Sequence, residues 1–121
     1  MELIEIEEKK GVGPHIVHVP AKQYHSVEFS VDGSYFVHQF KIRYLTKSSI
    51  GILARENSEI IGLLKIGDIV NMKYYPEESF LPPEMVDTEI QYITKENQGR
   101  FQGHYLIGLD LFDQAPQEHI N

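Results

Sequence analysis

Cysteine and tryptophan are both missing from these 121 residues. A chain without cysteine has no disulfide framework, which fits a reducing compartment. No apolar run approaches the roughly 20 residues that a membrane-spanning helix needs. The opening MELIEIEEKK has neither a basic start nor an apolar signal core. The expected location is the cytoplasm. Positive charge is also scarce: 11 Lys and Arg against 18 Asp and Glu leave a formal net charge of −7. That balance opposes long-range attraction to nucleic-acid polymers and acidic membranes.

What remains is ordinary for one globular domain: 41% hydrophobic, 24% charged, and long enough to build a core without covalent staples. Chemistry-bearing constellations are sparse. Of the six histidines only His15 and His18 are close, and three residues apart on a strand they point to opposite faces, so no metal site is expected. No nucleophile elbow, phosphate loop or zinc spacing occurs, and Glu77-Glu78 and the N-terminal glutamates read as solvated charge. The expectation is a non-catalytic protein without a cofactor, an enzyme with an unrecognised site being a lesser alternative.

The chain is punctuated like an all-β protein. Residues 1–14 form an acidic arm ended by Gly11-Val12-Gly13-Pro14, with two permissive glycines before a proline. Residues 24–31 alternate, with Tyr24, Ser26, Glu28 and Ser30 on one face and His25, Val27, Phe29 and Val31 on the other. Asp32-Gly33 is a hairpin signal, predicting a return strand over residues 34–44. Thr46-Lys47-Ser48-Ser49-Ile50-Gly51 reads as a second tight reversal before another apolar strand. Asn57 or Ser58 caps a short helix that Gly67 ends, and residues 68–75 return to strand character. The stretch PEESFLPP cannot sustain a ladder; Phe80 and Leu81 within it either pin the loop down or offer themselves to a partner. Residues 86–95 and 100–112 form a further hairpin, with Gly103 and Gly108 marking bends or a bulge, and residues 114–121 are a polar tail. Strands at this spacing, with one short helix, predict a small antiparallel β-barrel of five to seven strands over residues 15–113, with a β-sandwich as the main rival. Its aromatic residues, among them Tyr35, Phe36, Tyr74, Tyr92 and Phe101, are expected to serve packing rather than a base-stacking platform.

Thr46-x-Ser48-x-x-Gly51 resembles the [Asp/Asn]-x-Ser-x-x-Gly motif of PilZ domains, bacterial β-barrels best known as cyclic di-GMP receptors. Leu64 to Val70 and Gly103 to Phe112 resemble later steps of the same family, so the likeness spans roughly residues 18 to 113. The resemblance implies a PilZ-like barrel in bacterial signalling. It also implies a ligand clasped by an Arg-x-x-x-Arg motif upstream of the turn, because arginine forks pair with phosphate and stack on bases. This chain has no Arg-x-x-x-Arg; His18 and Lys22 hold that spacing, and Thr46 stands where Asp or Asn is usual. A histidine and a lysine lack the planar fork. The leading expectation is therefore a regulatory or adaptor module that acts through a protein partner, with the loop of Phe80 and Leu81 or an exposed strand edge as the contact. The alternative is a cyclic di-GMP receptor using His18, Lys22, Arg43, Thr46, Ser48 and Gly51.

Overall fold

The computed structural model describes residues 16–18, 24–46 and 49–114, with side chains described for 24–46 and 49–112. Its strands are β1 (Ile16–His18), β2 (Tyr24–Phe29), β3 (His38–Lys41), β4 (Tyr44–Leu45), β5 (Ser49–Arg55), β6 (Ile69–Pro76), β7 (Glu84–Lys95) and β8 (His104–Gln114), with one helix, α1 (Ile60–Leu63), between β5 and β6. All pair antiparallel in one sheet, in the order β3-β2-β6-β7-β8-β5-β4, with β1 added to β8. Among the described residues no helix is long and apolar enough to cross a membrane.

The sheet is barrel-like because its two end strands are consecutive in the chain. Ile42 N–H donates to the His25 carbonyl (2.9 Å), while the next residue, Arg43, donates to the Gly51 carbonyl (2.8 Å). One bent run thus bonds β2 with its first half and β5 with its second, which brings the two edges of the sheet together. Inside lie Val27, Ile52, Met72, Ile90, Ile107, Leu109 and Leu111, all inaccessible to solvent. β-branched and aliphatic residues at alternate strand positions supply this interior, since period-two spacing sends them all to one face.

Two bulges correct the simple alternation. Tyr24 pairs with Pro76 but Ser26 with Tyr75, so His25 is an extra residue; Tyr24, Val27 and Phe29 are consequently all buried while His25 is exposed. In β7, Ile90 pairs with Leu109 and Tyr92 with Gly108, leaving Gln91 as the extra residue. Ile90 and Ile93 then both pack on the core.

The first hairpin also differs from its prediction. Ser34 N–H does close a turn on the Val31 carbonyl (3.1 Å) with Gly33 at φ 95°. Ladder pairing begins only at Phe29 and His38, so the return strand over residues 34–44 is instead an irregular stretch followed by β3 and β4. Physically, the turn leans on the helix: a Cβ on Gly33 would sit 3.1 Å from Leu63 Cδ2. Ser34 Oγ bonds Glu59 Oε2 and lies 3.2 Å from His38 Nε2. α1 itself begins after Glu59, with Ser58 Oγ accepting from Ile60 N–H at 3.4 Å.

Candidate functional site

The second reversal is tighter than its sequence suggested. Thr46 N–H donates to the Ser49 carbonyl (2.8 Å), and Ser49 N–H returns a bond to Thr46 Oγ1 (3.2 Å). The turn therefore spans 46–49, and Gly51 lies inside β5, opposite Tyr44 on one side and Gly108 on the other. Gly51 is required there by close approach: a Cβ would lie 3.0 Å from Tyr44 Cδ2 and 3.2 Å from Leu106 Cδ1. Its missing side chain makes room for packing.

Around this turn the sheet collects several groups. Ser49 Oγ donates to Asp110 Oδ1 (3.3 Å), a carboxylate almost wholly buried on β8. β1 takes over beside β8 where β5 leaves off, so that Ser49 faces Asp110 and the backbone of His18 faces Phe112 two residues on. Asp110 carried no motif and was missed; a lone acid within an apolar strand, Leu109-Asp110-Leu111, was the available signal. Lys22 and Ser48 lie outside the described residues. Arg43 does not join the turn: its guanidinium carbon sits 5.6 Å from the centre of the Phe101 ring, in the β7–β8 connection.

The same end of the sheet carries the loop 77–83, since β6 ends at Pro76 and β7 begins at Glu84, alongside the last residues of β8. Phe80 is 79% exposed and Leu81 is 44% exposed. Leu81 N–H donates to the Glu78 carbonyl (3.0 Å), so a turn and the flanking prolines shape the loop, and the phenyl ring of Phe80 is turned outward. The Phe80 ring therefore does not pin the loop down.

One arrangement superficially suits nucleophilic catalysis. Ser34, His38 and Glu59 meet, but both Ser34 Oγ (3.2 Å) and Glu59 Oε2 (3.3 Å) address the same ring nitrogen, His38 Nε2. A catalytic relay needs the acid on one imidazole nitrogen and the nucleophile on the other. This triangle instead ties the β2–β3 connection to the start of α1. Among the described residues no group of three or more His, Asp or Glu could hold a metal ion. The aromatic side chains do not form one platform either: Tyr74 is buried against Tyr24, with ring centres 5.1 Å apart, while Tyr35 projects into solvent from the β2–β3 connection.

Compared with known proteins, the chain matches no family model, no curated protein and no solved structure.

Proposed function

We propose that this chain is a PilZ-like, non-catalytic signalling module that docks a protein partner through the loop 77–83. The observation that carries this reading is the exposure of Phe80 at 79% in a loop bracketed by Pro76, Pro82 and Pro83. A restrained loop loses little conformational entropy on binding, and an aromatic side chain offers large contact area at few rotatable bonds. Phe80→Ser with Leu81→Ser removes that area without touching the core. The double variant is expected to keep the wild-type melting temperature within about 2 °C, because surface changes away from packing features cost little. It is expected to lose at least tenfold in the yield of a co-purifying protein in affinity capture. Equal recovery by both proteins counts against the loop.

The second reading, a cyclic di-GMP receptor, is favoured by the gathering of Thr46, Ser49, Asp110 and the His18 backbone at that same end. Against it stands the placement of Arg43 on the Phe101 ring, away from the turn. Calorimetric titration with cyclic di-GMP separates the two. The docking reading expects no saturable heat up to high micromolar ligand; the receptor reading expects saturation that Ser48→Ala and Lys22→Ala both weaken.

A further inference from the structure

The three arginines of the chain are far apart in sequence, yet two of them converge on one ring. The guanidinium carbons of Arg43 and Arg100 lie 5.6 Å and 4.9 Å from the centre of Phe101, and His104 meets the same ring edge-on with centres 6.0 Å apart. The third, Arg55, pairs with His104 across the β5–β8 ladder. Among the described residues no carboxylate lies within ion-pair distance of Arg43, Arg55 or Arg100. Of the acids nearby, Glu56 is engaged, its Oε1 lying 3.2 Å from Lys95 Nζ, and Glu96 lines the neighbouring hollow with that pair. This is an unneutralised basic cluster on a protein of net charge −7.

The platform is built rather than incidental. Gly99 and Gly103 adopt φ of 82° and 90°, which side-chain-bearing residues rarely take, and Gly103 N–H donates to the Glu96 carbonyl (3.0 Å) while Glu96 N–H donates to the His104 carbonyl (2.8 Å). His104 N–H closes the Phe101 turn at 2.9 Å. A ring held this way orders the two guanidinium groups and strips part of their hydration, leaving N–H edges free for in-plane acceptors. Carboxylates fit those edges as bidentate partners.

We propose that Arg43, Arg100 and Phe101 form a receptor for the carboxylate side chains of an acidic protein segment. The charge of the whole protein selects a short acidic segment over a polyphosphate. The protein's own negative charge repels a long polyanion more with every added charge, whereas one or two carboxylates at the cluster feel mainly the local arginines within a Debye length of about 8 Å. The two hollows beside the cluster, about 260 and 390 Å³, are both lined by Glu56, Gln102 and Gly103.

The inference rests on the docking reading of the domain but concerns the end of the sheet opposite the loop 77–83. The test is fluorescence anisotropy of a labelled peptide with two glutamates in an otherwise neutral sequence, at about 0.15 M salt, against the full chain. Saturable binding is expected, weakened at least fivefold by Arg100→Gln, by Arg43→Gln and by Phe101→Leu, which keeps all charges. Lys73→Gln, which removes a cation from the Tyr75 ring elsewhere (5.9 Å), is expected to change it less than twofold. Phe80→Ser is expected to leave it unchanged, so a failure of the loop and a failure of this cluster are told apart. Three results overturn the proposal: no saturation at millimolar peptide, equal losses in Lys73→Gln and Arg100→Gln, or tighter binding of a single-stranded oligonucleotide or of phosphatidylserine vesicles than of the peptide.

Discussion

Tyr74 shows how one buried polar group is accommodated. Its hydroxyl lies 2.8 Å from Thr88 Oγ1, which also reaches the Val86 carbonyl at 3.2 Å. Burial pushes the phenol well above its ordinary value, the Thr88 bond only partly opposing it. The neutral form is therefore favoured in the folded state. The stabilisation is fully present below pH 10, the unfolded phenol's ordinary range, and is lost as pH rises above it, at up to about 1.4 kcal/mol per pH unit for one proton. Denaturant midpoints measured between pH 9 and 11.5 are expected to fall less steeply in Tyr74→Phe than in the wild type; parallel slopes would refute the assignment. A second residue pair sits across the ladder: a Cβ on Gly108 would lie 2.2 Å from Tyr92 Cε2. Gly108→Ala is expected to cost about 1–3 kcal/mol by overpacking. Because the conflict is with one side chain, Tyr92→Ala should relieve most of that cost, giving clear non-additivity in a double-mutant cycle. Gly51→Ala, with its nearest neighbours at 3.0 Å or more, should cost less than Gly108→Ala in the same urea titration.

At the level of elements, strand existence was legible and strand geometry was not. Runs rich in Val, Ile and aromatic residues marked β2, β5, β6, β7 and β8, because a pleated surface buried on one side selects those side chains. The bulges at His25 and Gln91 left no local trace, since one extra residue changes the facing of its neighbours without changing their composition. Asp32-Gly33 did form a turn, but contacts with Leu63 and Glu59, some thirty positions away in sequence, decided where pairing resumed. Those tertiary contacts lie beyond any local pattern, and so did the convergence of Arg43 and Arg100 on Phe101. Ser34 is the hinge of the β2–β3 connection, its Oγ also accepting from Phe36 N–H at 3.1 Å. Ser34→Ala is expected to speed amide exchange at Phe36 about tenfold while leaving the core strands unchanged, as loss of a local bond does without global unfolding. Faster exchange throughout β6 and β8 would show instead that the tie supports the whole sheet.

For the molecule as a whole, the bent run from β3 to β4 brings the edges of the sheet together and gives two functional-looking ends. One end holds the 46–49 turn, Asp110 and the exposed Phe80 loop; the other holds α1, the β2–β3 connection and the arginine cluster on Phe101. Small barrels of this kind place recognition on loops and turns because the interior is filled by side chains, and here Ile52, Met72, Ile107 and Leu109 fill it. Docking at an end is the function proposed for this architecture. The most direct test puts a photo-crosslinking phenylalanine analogue at position 80 and, as a control, at position 36, which is also exposed but lies at the opposite end. The account predicts a discrete protein adduct from position 80 that excess unmodified protein competes away, and any adduct from position 36, at the end that carries the arginine cluster, to be a different one that Arg100→Gln abolishes. No adduct from position 80, together with saturable heat on titrating cyclic di-GMP, would contradict it.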